Sequence, residues 1–165
     1  MTMIRGPEID QLEVGRAVHH YRNLFLALEP KTGPASMLKT ILILFPDVTH
    51  TNASVHIEAL QKKLKPEFVK NMIGQFYEGC PEGGLWNNNF RPLQSPLPLL
   101  AIRNMVPSDF PFLHGKRESE GMLVSYLNQF GTRIPSEVKG LMVRALQSSN
   151  LSLRSAVKIK KRRAS

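Results

Sequence analysis

Met37-Leu38-Lys39-Thr40-Ile41-Leu42-Ile43-Leu44-Phe45 is the only long run in the chain that is apolar on nearly every side. Its nine residues are far too few to cross a bilayer, which takes roughly 20. The run therefore reads as a buried element wrapped by others. Gly33-Pro34 just ahead of it favours a helix, because proline is pre-organised for a first helical position. β-branched Ile41 and Ile43 keep a strand open as the other reading.

Working outward toward the N-terminus, Ile9, Leu12, Val14, Ala17, Val18, Tyr21, Leu24, Phe25 and Leu28 recur at three-and-four spacing. Pro7, Glu8 and Asp10 precede them as start signals, so an amphipathic helix is expected over about 7–28. On the other side of the central run, Val55, Ala59, Leu60 and Leu64 predict a second helix over about 53–64.

Lys65-Pro66 interrupts and restarts the chain. Phe68, Val69, Met72, Ile73, Phe76 and Tyr77 then fall on one side of a helical projection, with Glu67, Lys70, Asn71 and Gln75 on the other and Gly79 placed as a left-handed cap. That spacing predicts a helix over about 66–78. Ser95-Pro96 reads as an N-cap and first position of a short apolar helix through Leu99, Leu100, Ile102 and Met105. The stretch 106–116 reads as irregular. A further helix is expected from Glu118 or Ser119 to Phe130, and a last one over about 136–147. Beyond Leu151 the apolar residues alternate, and strand and helix both stay open.

The expected fold class is therefore all-α, a compact irregular bundle of about six or seven helices. It forms one domain over residues 1–150 and carries a basic C-terminal tail over 151–165. At 165 residues such a domain buries about 70% of the surface that its unfolded chain exposes, so it needs no staple. The single cysteine, Cys80, rules out an intramolecular disulfide framework and a cysteine-based zinc site. Residues 1–10 lack the apolar stretch of a secretory signal, so an intracellular protein, cytoplasmic or nuclear and without a membrane span, is expected.

The net charge of +9 is unevenly placed. Residues 1–82 carry nine basic and nine acidic side chains, 83–153 carry seven and four, and 154–165 carry six and none. Two thirds of the net charge thus lies in the last twelve residues. A near-neutral body with a basic tail differs from a domain that is basic throughout.

Enzyme signatures are missing: there is no nucleophile elbow, phosphate-binding loop lysine pattern, dinucleotide fingerprint or zinc-protease motif. His19 and His20 are adjacent, so on a helix they diverge by about 100° and do not chelate as an i, i+4 pair does. No catalytic residue, metal or cofactor is expected. Cys80 sits before Pro81 in a glycine-rich stretch and is a candidate exposed thiol, and Gly83-Gly84 reads as a flexible pair.

Residues 79–98 form the longest stretch without periodicity, and loops of that length inside a domain are often functional. The candidate nucleic-acid contacts are Arg154, Lys158, Lys160, Lys161, Arg162 and Arg163 in the tail, with Lys116 and Arg117 at a turn and Arg91 and Trp86 in the long loop. Such cations bind phosphate chains by counterion release, and Trp86 and Phe90, if exposed, stack on unpaired bases. The expectation is a non-enzymatic nucleic-acid-binding protein that takes RNA ahead of DNA, since no groove-reading helix module is present. Its body self-associates, the division of labour used by viral coat and nucleocapsid-like proteins. Two alternatives stay open. One is a protein-interaction or regulatory module that engages its partner through 79–98 and uses its tail as a nuclear localisation signal. The other, disfavoured by the lack of a lipidation motif, is a matrix-like protein on an anionic membrane surface.

Overall fold

The computed structural model describes residues 1–7, 9–84, 87–113 and 120–130. The chain divides into two compact units, Met1–Asn104 and Met105–Ser165.

The all-α expectation is overturned. The described residues hold four strands in one mixed sheet and three α-helices, an α/β arrangement. In the first unit the elements are β1 (Thr2–Met3), α1 (Gln11–Ala27), β2 (Thr40–Leu44), α2 (His50–Leu64), β3 (Asn71–Phe76) and β4 (Leu99–Asn104). The sheet order is β1-β2-β4-β3, with β1 parallel to β2 and both β2 and β3 antiparallel to β4.

The central run is the strand of its two readings. Gly33-Pro34 opens only a 3-10 turn over Pro34–Leu38, after which β2 begins. Cross-strand pairs Ile41↔Ile102, Ile43↔Leu100 and Ile73↔Ile102 put these apolar side chains on one face of the sheet. That face forms the core with Val14, Val18 and Phe25 of α1 and Ala53, Ile57, Leu60 and Leu64 of α2. Each such Val, Leu, Ile or Phe taken fully from water contributes about 1.5–3 kcal/mol before the cost of ordering it.

Two expected helices are strands instead, β3 and β4, and one physical cause covers both. Leu44, Met72 and Ala101 lie on the opposite face of the sheet, yet they too are buried. A strand buried on both faces loses the alternation that would mark it, so its apolar run mimics a helix. In β3, Asn71 and Gln75, which the helical projection sets opposite the apolar side, are buried as well. The Asn71 side-chain amide donates to Asn104 Oδ1 at 3.1 Å, and Asn104 donates in turn to the Ser36 carbonyl at 2.9 Å. Pro66 starts only a 3-10 turn, Lys65–Glu67.

β3 lies at a sheet edge, where unpaired backbone groups invite association with other strands. Gln61 of α2 covers part of it by donating to the Ile73 carbonyl at 2.9 Å. At the end of the strand Tyr77 donates its backbone N–H to Leu93 at 3.1 Å.

The two remaining helices of this unit match expectation closely. Asp10 caps α1, its carboxylate accepting from the N–H groups of Leu12 and Glu13 at 2.8 and 3.2 Å. At the other end Lys39 Nζ donates to the carbonyls of Phe25 and Leu28 at 2.9 and 2.7 Å and sits 4.4 Å from the centre of the Phe25 ring. Thr49 caps α2. His19 is half-buried with Nε2 3.2 Å from Glu67 Oε2, and His20 is exposed.

In the second unit, 106–116 contains a 3-10 turn, Pro107–Phe112, where irregular chain was expected, and α3 spans Glu120–Phe130. Asp109 accepts from the Val106 N–H at 2.8 Å, and the Tyr126 hydroxyl donates to the Pro107 carbonyl. The ring centres of Tyr126 and Phe130 lie 5.2 Å apart. The helix expected over 136–147 and the segment from 151 onward lie outside the described residues.

Candidate functional site

Of the candidate contacts, only Arg91 lies among the described residues. Trp86, Lys116, Arg117, Arg154, Lys158, Lys160, Lys161, Arg162 and Arg163 lie outside them. The site that can be built from side chains is therefore the 79–98 loop.

Its entry is anchored in the core. Tyr77 is buried, and its hydroxyl donates to Glu58 Oε2 at 2.9 Å, while Glu58 also pairs with Lys62. Burial holds the Tyr77 phenol well above its ordinary pKa, and the Glu58 carboxylate and Cys80 thiol beside it act in the same direction. Gly79 turns the chain at φ +76°, a conformation that glycine adopts without strain. Cys80 then enters the core and is fully buried, so the candidate exposed thiol is a packed side chain. The exit is anchored as well: Leu93 packs on the core and the Phe45 N–H donates to the Pro98 carbonyl at 2.9 Å.

Between these anchors the loop closes on itself. Gly84 donates its N–H to the Phe90 carbonyl at 2.7 Å, and the Phe90 N–H donates to Asn87 at 3.0 Å. Asn87 also accepts, through Oδ1, the N–H of Asn89 at 2.9 Å. The Arg91 guanidinium donates to the carbonyl of Asn88 and, at 3.4 Å, to that of Phe90. A methyl group on Gly84 would lie 3.0 Å from the Phe90 ring and 3.1 Å from the Asn87 carbonyl oxygen. Glycine at 84 thus serves close backbone approach and not flexibility, which corrects the reading of the Gly83-Gly84 pair.

The outcome is a tied loop whose tip, Asn87, Asn88, Asn89, Phe90 and Arg91, is exposed. Phe90 is 60% exposed. The 79–98 loop carries one acid, Glu82, and one base, Arg91, so it is formally neutral, with the positive charge at the tip. Sequence reasoning named Phe90 only conditionally, because exposure depends on how the loop folds. The hint in the chain is the glycine six residues upstream, placed where the loop backbone returns to within hydrogen-bond distance. Among the described residues no group of three His, Cys, Asp or Glu side chains could hold a metal ion.

Comparison with the curated proteins and with the solved structures gave no match. One family model does match, over residues 1–141. The match takes in the sheet, α1, α2, the tied loop and α3, and stops before the basic segment 154–165. Covering most of the chain, it shows that the protein belongs to DUF6875, a domain family of unknown function.

Proposed function

We propose that the protein binds nucleic acid, RNA in preference to DNA, without catalysing a reaction on it. The observation that carries this reading is the distribution of charge: a balanced 1–82 segment and six cations without an acid over 154–165. Six uncompensated cations attract a phosphate chain by releasing its counterions, a term that needs no fixed side-chain geometry. The body supplies the scaffold, and the tail with Arg91, Lys116 and Arg117 supplies the charge. The test is fluorescence anisotropy of the full chain with labelled single-stranded RNA, duplex RNA and duplex DNA. Binding that favours an RNA probe and weakens with salt supports the reading, and absence of binding to all three at low salt ends it.

A second reading has an observation of its own. Lys39 joins the end of α1 to the 3-10 turn before β2, and on these two segments Leu24, Leu28, Met37 and Leu38 are exposed, Leu38 by 86%. Exposed apolar side chains at neighbouring positions suit a protein partner or a second copy of the chain. Under this reading the tail acts as a nuclear address. No described helix is long and apolar enough to cross a membrane.

A further inference from the structure

Exposed aromatic rings in water forgo the burial that stabilises a fold, and a loop with several exposed side chains would ordinarily let such a ring move to cover itself. At Phe90 the backbone is held against that. Its carbonyl accepts from Gly84 at 2.7 Å and from Arg91, its N–H donates to Asn87 at 3.0 Å, and its ring rests on the glycine at 84. A tied backbone whose ring lies against Gly84 and is 60% exposed presents one side of a stack.

What stands around the ring narrows the partner. Asn88 and Asn89 present exposed amides, which pair with the edges of nucleobases, and Arg91 adds a cation at the same tip. The loop's one acid, Glu82, lies outside the tip 87–91, where Arg91 is the charged side chain facing a phosphate chain. Bases inside a duplex hide their faces, whereas an unpaired base offers one.

We propose that Phe90 is a stacking platform for an unpaired nucleobase, and that the 79–98 loop gives the protein its preference for single strands over duplexes. This inference rests on the nucleic-acid reading above and names the substrate class within it. The division of labour is then clear: the tail contributes affinity that ignores base pairing, and the loop contributes selectivity for strand state. The aromatic ring contributes through its face, so it acts on all four bases with little distinction.

The experiment uses the full chain with Phe90→Ala, Phe90→Leu and Phe90→Trp, each titrated by anisotropy against oligouridine, oligothymidine and a duplex RNA of equal length. Phe90→Leu keeps bulk and removes the π face, and because the side chain is exposed the three variants should unfold at the parent's urea midpoint. Alanine and leucine should weaken single-strand binding about tenfold, leave duplex binding unchanged and leave the salt slope unchanged, and tryptophan should restore the parent value. Oligouridine and oligothymidine separate RNA from unpaired DNA as the source of the base. Parent-like single-strand binding by Phe90→Ala and Phe90→Leu, or equal losses on single strand and duplex, overturns the platform and points to a protein as the partner of this loop. Failure of the parent chain itself to bind any of the three probes overturns the nucleic-acid reading, which distinguishes the two failures.

Discussion

The N–H of Gly84 donates to the carbonyl of Phe90 at 2.7 Å, and the Phe90 ring lies 3.0 Å from where a side chain on Gly84 would begin. The loop tip depends on that contact. Gly84→Val should open the 84–90 bridge and speed hydrogen exchange at the amides of Gly84's replacement, Asn89 and Phe90, while strand β4 keeps its protection. Unchanged exchange at these amides would show that the bridge is dispensable.

Lys39 stabilises the end of α1 from outside the helix, by charge-assisted hydrogen bonds to the Phe25 and Leu28 carbonyls. Lys39→Met should cost about 1.5–3 kcal/mol in urea unfolding. Lys31→Met, which removes only an exposed pairing with Glu29, should stay within about 0.5 kcal/mol. Equal effects at the two positions would contradict the capping role.

Two carboxylates should contribute to the loss of stability in acid. The backbone N–H groups of Glu13 and Leu12, with Arg16 nearby, hold Asp10 below its ordinary value of 3.8. The Gly6 N–H, followed by Arg5, does the same for Asp47. A depressed folded pKa gives stability that is complete above the ordinary value and is lost as pH falls through the lower folded one. The double variant Asp10→Asn, Asp47→Asn should therefore be less stable than the parent at neutral pH and should flatten the loss of stability below about pH 4. A parent-like pH profile would contradict the assignment.

Tyr77 should titrate late. Burial raises its phenol above the ordinary 10.0, and burial with the Asp109 carboxylate pushes Tyr126 up to about 12. Raised values give stability that is present below the ordinary pKa and is lost as pH rises through the folded ones. In an alkaline titration followed by tyrosinate absorbance, Tyr77→Phe should remove one of the late-ionising groups. It should also cost about 1 kcal/mol at neutral pH through the lost hydrogen bond to Glu58. An unchanged alkaline phase would contradict the buried placement of the hydroxyl.

How much of this was legible in the chain depended on whether an element shows water one side. The first helix could be read because exposed Glu13, Arg16 and His20 alternate in register with buried Val14, Val18 and Phe25, and Asp10 marks its start. β4 could not, because Leu100, Ala101 and Ile102 are buried in succession, and Ser95-Pro96 ahead of them looked like a helix start. The Ser95 hydroxyl in fact donates to the Leu97 carbonyl at 2.7 Å, in the approach to the strand. β3 was hidden by Asn71 and Gln75, polar residues whose burial depends on partners distant in sequence. For the site, the sequence shows charge directly, since charge needs no fold to count. It does not show that Cys80 turns inward while Phe90 turns outward, because the first follows the turn at Gly79 and the second the closure of the loop across Gly84.

The central claim is that uncompensated cations over 154–165 drive nucleic-acid binding, and one comparison tests it most directly. The full-length chain and a variant with Arg154, Lys158, Lys160, Lys161, Arg162 and Arg163 all changed to Gln should be titrated with single-stranded RNA across a salt series. The parent's log affinity should fall with log salt at a slope of about −4, as expected for six phosphates neutralised on a single strand, and the variant should lose most of that slope and of the affinity. Equal slopes and affinities for the two proteins would contradict the account.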